Sequence, residues 1–209
     1  LTSLDVSSNT ALTYLYCWEN LLLSIDLSNN TNLVQLRLSN NLITYIDLTN
    51  NVNLIWLGLY NNQLTSIDLS NNTALTYLDL YTNQLTSLDL SSNIMLVTFG
   101  CVENQITSLD LSNNYNLNTL LCWDNNLNWL DLRNGNNQAL TNPNFTGNPL
   151  LSCLSVDNPP AADDDWPWDD PWSVYSTTCD VINSWNCVGN DCLGDSTGQG
   201  IYTSLADCQ

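Results

Sequence analysis

The stretch LTYLYCWEN, residues 12–20, has leucine at its first and fourth positions, an apolar residue at its sixth and asparagine at its ninth. The same frame returns as LVQLRLSNN at 33, LIWLGLYNN at 54, LTYLDLYTN at 75, LVTFGCVEN at 96 and LNTLLCWDN at 117, each start 21 residues after the last. A second copy fills the interval: LTSLDVSSN at 1, LLSIDLSNN at 22, ITYIDLTNN at 43, LTSIDLSNN at 64, LTSLDLSSN at 85, ITSLDLSNN at 106 and LNWLDLRNG at 127. Each 21-residue rung therefore holds half-repeats of ten and eleven residues. Self-similarity at a fixed short period is the mark of a solenoid.

Within each L-x-L the two apolar side chains point one way and the middle residue points out, which is strand alternation. Two short strands per rung predict two parallel sheets facing each other across a leucine core. Residues such as Leu12, Leu15, Leu22, Ile25 and Leu27, with Cys17, supply that core. Each contributes about 1.5–3 kcal/mol on burial. The asparagines ending the frames (Asn20, Asn41, Asn62, Asn83, Asn104, Asn125 and, opposite, Asn9, Asn30, Asn51, Asn72, Asn93, Asn114) fall where the chain turns. Their amides can donate to and accept from backbone that a parallel ladder leaves unpaired.

L-x-x-L-x-L-x-x-N is the leucine-rich repeat signature. The doubled form resembles the nested 21-residue leucine-rich repeats of secreted and cell-surface bacterial proteins, of the kind found in Bacteroidetes. The resemblance implies a β-rich solenoid over residues 1–156 and says little about function. After Asn134 the frame loosens: LTNPNFTGN at 140 and LSCLSVDNP at 151 form a last, imperfect rung. A solenoid end needs a cover, and residues 157–179, containing DDDWPWDDPW with Trp166, Trp168 and Trp172, are the candidate cap. Likeness to the Cys-closed caps of the same proteins implies a Cys153–Cys179 bridge. Residues 180–209 resemble short Cys-rich tails appended to secreted bacterial proteins. A module that small needs bridges among Cys187, Cys192 and Cys208.

The eight cysteines fall into two groups. Cys17, Cys101 and Cys122 occupy an inward slot and read as small buried hydrophobes; a bridge between Cys101 and Cys122 is compatible with their neighbouring rungs but not required. Cys153, Cys179, Cys187, Cys192 and Cys208 crowd the C-terminal part, which points to an oxidising, extracellular or cell-surface setting. Their odd number, and the opening of the chain in mid-frame at Leu1, predict a portion of a longer product.

With 21 acidic residues, two basic ones and no histidine, the formal charge is −19. Such a chain has almost nothing with which to displace counterions from a phosphate backbone, which excludes nucleic acid. No apolar run reaches membrane-spanning length. The lack of histidine and of an enclosed acid–base pair argues against an enzyme, and no cofactor is implied. Calcium in the loop containing Asp163, Asp164, Asp165, Asp169 and Asp170 is one metal reading the sequence offers.

The outward positions of the two half-repeats differ. One set reads Ser3-Asp5-Ser7, Ser24-Asp26-Ser28, Ser66-Asp68-Ser70, Ser87-Asp89-Ser91 and Ser108-Asp110-Ser112, with aromatics only at Tyr45 and Trp129. Its column Asp5, Asp26, Asp47, Asp68, Asp89, Asp110 and Asp131 would stand at a strand spacing of about 4.8 Å, either collecting divalent cations or simply keeping the face solvated. The other set holds Tyr14-Tyr16-Trp18, Gln35-Arg37-Ser39, Trp56-Gly58-Tyr60, Tyr77-Asp79-Tyr81, Thr98-Gly100-Val102 and Thr119-Leu121-Trp123. Here the glycines are expected to leave shallow gaps between the rings. Outward aromatics are either cross-strand packing or a binding surface for protein or glycan. The second reading makes Tyr14, Tyr16, Trp18, Arg37, Trp56, Tyr60, Tyr77, Asp79, Tyr81 and Trp123 the ligand-binding residues of a recognition or adhesion module. Two other readings are a subunit or stalk of a self-associating surface filament and an accessory region of a larger secreted enzyme.

Overall fold

The computed structural model describes residues 1–136, 139–141, 143–151, 153–157, 174–177 and 179, with the backbone of 185–188 and 191–194. Six three-residue strands, β1 (Tyr14–Tyr16), β2 (Gln35–Arg37), β3 (Trp56–Gly58), β4 (Tyr77–Asp79), β5 (Thr98–Gly100) and β7 (Thr119–Leu121), form one parallel sheet. Its register is one rung per strand, Tyr14 opposite Gln35, Gln35 opposite Trp56, Trp56 opposite Tyr77. A parallel bridge from Leu121 to Asn144 adds the imperfect rung at 140 to the same face. In each strand the central residue is buried: Leu36, Leu57, Leu78, Phe99 and Leu120 are fully enclosed, and Leu15 nearly so. The core is one continuous cluster in which Phe99 and Phe145 take leucine slots.

The opposite face is built differently. Its ladder closes only at the C-terminal end, through β6 (Ser108–Asp110), β8 (Trp129–Asp131), β9 (Cys153–Ser155) and β10 (Val174–Ser176), in the order β10-β9-β8-β6. In the first five rungs the corresponding segments run without strand pairing. The expected second strand per rung is therefore found only there. Composition does not separate the two zones, since β6 reads Ser-Leu-Asp like the unpaired Ser87-Leu88-Asp89. In every rung the Asp carboxylate also accepts the N–H two residues on, from Ser7 to Asp5, Ser28 to Asp26, Thr49 to Asp47, Ser70 to Asp68 and Ser91 to Asp89, each at 2.9 Å. The same bond forms in the paired rungs, from Ser112 to Asp110 and from Arg133 to Asp131, so a ladder and this Asx turn coexist there. At the C-terminal end the Cys153–Cys179 disulfide ties β9 to the segment just past β10.

The asparagine columns hold the turns. Asn83 donates from Nδ2 to Leu80 O and, one rung back, to Leu59 O, while its Oδ1 accepts the Leu64 N–H, at 3.0–3.1 Å. Asn41, Asn62, Asn104, Asn125 and Asn148 repeat the pattern. The second column works with less: Asn51 donates to Asn30 O and Leu27 O, but the buried Oδ1 atoms of Asn30, Asn51, Asn72, Asn93 and Asn114 find no donor.

Cys101 and Cys122 are buried and Cys17, in the first rung, is half-buried; all three thiols are free, so no bridge joins Cys101 to Cys122. Burial pushes the Cys122 thiol up to about 12 and Cys101 well above its ordinary value. A two-stranded antiparallel hairpin, β11 (Trp185–Val188) with β12 (Asp191–Gly194), sets the backbone of Cys187 opposite that of Cys192. The bridging expected of Cys187, Cys192 and Cys208, the three cap tryptophans, and Asp163, Asp164, Asp165, Asp169 and Asp170 lie outside the described residues. Among those described, no helix is long and apolar enough to cross a membrane, and no cluster of three or more metal-ligating side chains occurs.

Two outcomes follow. Replacing both Cys153 and Cys179 with Ala should open residues 127–156 before the remaining rungs, since a native bridge contributes about 2–5 kcal/mol; hydrogen exchange showing uniform protection would contradict this. Asn83→Ala should cost about 2–4 kcal/mol, because it strips partners from three buried peptide groups. The exposed Gln84→Ala should stay within about 0.5 kcal/mol, with denaturant unfolding as the measurement.

Candidate functional site

The aromatic face differs from a row of independent exposed rings. Tyr16, Arg37, Trp56 and Tyr77 come from four successive rungs and form one stacked column that crosses between two register positions, Tyr16 opposite Arg37 and Trp56 opposite Tyr77. The Arg37 guanidinium carbon lies 4.8 Å from the Tyr16 ring centre and 4.2 Å from that of Trp56. Trp56 and Tyr77 stack with centroids 4.6 Å apart and planes 7° from parallel. Tyr14 meets Tyr16 edge-on at 6.4 Å, Trp18 is tilted against Tyr16 at 6.0 Å, and the Tyr16 hydroxyl donates to Gln35 Oε1 at 2.6 Å. Register brings Tyr16 beside Arg37 and Trp56 beside Tyr77, one rung and about 4.8 Å apart; Trp56 reaches Arg37 by lying across Gly58, the register partner of Arg37.

The two glycines are what let the rings lie down. A Cβ on Gly58 would run into the six-membered edge of the Trp56 indole, and one on Gly100 would run into the Tyr81 ring. The expected gaps at these glycines are thus filled by rings of the same face. Tyr81 crosses Gly100 to reach Trp123, at 6.2 Å between centroids. Ser39, Asp79 and Val102, outward in the alternation, end up buried beneath this layer. Tyr14, Tyr16, Trp18 and Tyr60 remain exposed, and Arg37, Trp56, Tyr77, Tyr81 and Trp123 are partly covered by one another. Nine of the ten residues expected on this face are presented there; Asp79 is buried below it.

Its burial has an electrostatic consequence. Only 8 % of Asp79 is exposed. Desolvation raises its carboxyl to about 6, against the opposing effect of the Tyr81 N–H that it accepts. The same loss of water, together with the Asp79 charge, pushes the Tyr81 hydroxyl far above its usual range. On the opposite face, the hydroxyl and N–H of the residue two positions on hold Asp5, Asp26, Asp47, Asp68 and Asp89 below the ordinary carboxylate range. Asp131 departs from that solvated column: it is buried and ion-paired with Arg133. A cleft of about 280 Å³ lies on this side between Asp89, Asp110 and Trp129.

No known family profile matches the chain, and no curated protein does. Solved structures do. The functional domain of InlJ from Listeria monocytogenes, described as including a cysteine ladder, is 31% identical with a TM-score of 0.60, over 83% of this chain and 45% of that one. The fold is a leucine-rich repeat. A leucine-rich repeat protein of Leptospira interrogans superposes with a TM-score of 0.63 at 22% identity, over 75% of this chain and 46% of that one. TLR13 in a complex with a single-stranded RNA gives 0.56 at 19% identity, over 75% and 26%. The chain thus spans less than half the length of each of these three. In this chain the inward slot at the sixth frame position holds cysteine at 17, 101 and 122 and leucine at 38, 59 and 80.

Asp79→Asn tests the buried carboxyl. A carboxyl whose folded value lies above its unfolded one stabilises the protein below the unfolded value of 3.8, and that contribution is lost as pH rises through about 6. Asparagine keeps an acceptor for the Tyr81 N–H and cannot ionise. The variant should therefore exceed the parent in stability by about 1–2 kcal/mol at pH 7.5, with the gap closing toward pH 4. Denaturant melts at the two pH values decide it; a variant less stable at pH 7.5 would contradict the assignment.

Proposed function

We propose that this chain is an extracellular, non-enzymatic recognition module that binds a protein partner through its aromatic sheet face. The observation that carries the reading is the confinement of stacked aromatics to one face of an otherwise Ser-, Thr- and Asp-coated solenoid. Large rigid rings in a polar surround supply contact area at low entropic cost. The strip from β1 to β7 spans six strands, about 24 Å at the strand spacing. That suits one side of a standard protein–protein interface, about 800 Å² per partner. The disulfide between Cys153 and Cys179 supports the extracellular placement.

A glycan fits less well. Sugar rings bind aromatic side chains through an open ring face. Trp56 has one face on Arg37 and the other on Tyr77, and Tyr16 has a face on Arg37. The rings of this column offer edges outward. The RNA of the TLR13 complex is no guide either, because the charge of −19 repels a phosphate backbone. A filament contact remains the second reading, since the same face could pair with a second copy.

Replacing Trp56 and Tyr77 together with Ala should lower affinity for a partner captured on the intact protein by at least about 2 kcal/mol, roughly thirtyfold. Asp68→Asn with Asp89→Asn should leave it unchanged. Surface-immobilised binding, run beside light scattering and a glycan array, separates the readings. Loss of self-association alone would make the face a filament contact, and full retention of binding by the aromatic variant would reduce the rings to sheet packing.

A further inference from the structure

The whole chain has two basic side chains, and they are treated in opposite ways. Arg133 is bound to Asp131 through its Nε and a terminal nitrogen and donates to the Thr177 carbonyl. Arg37 has no carboxylate near enough for an ion pair among the described residues, although acids outnumber bases 21 to two. Its guanidinium lies between Tyr16 on one side and Trp56 on the other. Its Nε is sealed from solvent with no hydrogen-bond partner, whereas its terminal nitrogens escape that enclosure.

This geometry removes all but one way for a ligand to reach the charge. Both planar faces are covered by rings, and the inner edge is closed. What remains is the head-on fork of the terminal N–H groups. A fork held in one orientation between rings has already lost the side-chain entropy that an arginine ordinarily gives up on pairing. A carboxylate accepts two parallel N–H bonds from such a fork.

Resting on the aromatic-face reading above, we propose that Arg37 is a carboxylate-recognition residue, and that the partner is a protein with a basic surface presenting one acidic side chain to it. Charge complementarity carries the choice of partner. A −19 surface repels an acidic protein as a whole. A carboxylate can reach Arg37 only if basic groups around it cancel that repulsion. Proteins supply such a mixed surface. An acidic sugar supplies the carboxylate without the basic surround, and would also need the ring faces that the column has used.

Two arginines give two Nε–H resonances, so a side-chain nitrogen spectrum reads the site without a known partner. Sodium acetate, titrated against sodium chloride at equal ionic strength, should produce a saturable shift at Arg37 and none at Arg133. Sodium glucuronate should shift Arg37 no more than acetate does. A lysine-rich peptide with one central Glu should bind at least about tenfold tighter than its Gln counterpart, about 1.4 kcal/mol. Arg37→Gln should erase that preference and Arg37→Lys should keep part of it, with thermal melts confirming that both variants fold. Absence of a saturable acetate shift, or equal affinity of the two peptides for the parent, overturns the proposal. A response to glucuronate alone overturns the protein assignment. Equal peptide affinities that both collapse in the Trp56→Ala, Tyr77→Ala variant would leave aromatic-face recognition standing and remove Arg37 from it. Peptide binding indifferent to every one of these substitutions would remove both.

Discussion

A chain that returns every 21 residues must turn twice per rung, and each turn brings peptide groups to the edge of a core without water to hydrogen-bond them. Everything else depends on how those groups are satisfied. On the aromatic side one asparagine per rung does it, donating to carbonyls of its own and the preceding rung and accepting an N–H from the half-repeat before it. The bonds are strong enough to hold the preceding residue in the left-handed region at Glu19, Asn40, Asn61, Thr82, Glu103 and Asp124, with φ of 52–56°. For a residue other than glycine that conformation costs about 1–2 kcal/mol, and for the β-branched Thr82 it is least natural. Six such positions recur at one place in the frame because the asparagine behind each over-determines the turn.

With the inside fixed by leucine and asparagine, the outward positions become the only variable ones, and the two faces use that freedom differently. Serine and aspartate close hydrogen bonds within their own segment, and their face carries a ladder at the C-terminal end, where β6, β8, β9 and β10 pair. Aromatic and long side chains instead interact across rungs, where strand spacing and ring-stacking distance nearly coincide. Trp56 and Tyr77 show the coupling: their paired strands set the separation at which the two rings stack, and the stack supports the strand pair beneath it.

The repeat frame made the solenoid, its core and both asparagine columns readable, because each depends on residue type at fixed spacing. Cys153–Cys179 was readable only through resemblance to other capped repeats, since nothing local at either cysteine specifies its partner. The unpaired Asp segments were less visible: L-x-L alternation reports which side chains point inward, not whether a neighbour's backbone is close enough to pair. The site was half legible. Position in the frame placed nine of the ten residues on one face, but alternation treats every outward residue as exposed. It could not show that Trp56 and Tyr81 lie over Gly58 and Gly100, or that Asp79 is consequently buried. A glycine at an outward strand position next to a large aromatic is the signal that could have revealed it.

The asymmetry between the faces also bears on how the protein can bind. On the Asp side, five buried asparagine oxygens lack donors, and each such group costs about 1–3 kcal/mol. That half of the rung is held by the leucines it covers, by the Nδ2 donations of the same asparagines and by bonds within each Asp segment. The aromatic half has its turn groups satisfied, its strands paired and its rings locked against one another and against Arg37. Local opening should thus concentrate away from the face that carries the rings. A binding surface gains most from rigidity where it meets its partner, because side chains ordered in advance are not ordered again on association. The leucine-rich repeat pairs its strands from the first rung to the sixth on one side, and the stacked rings occupy that side.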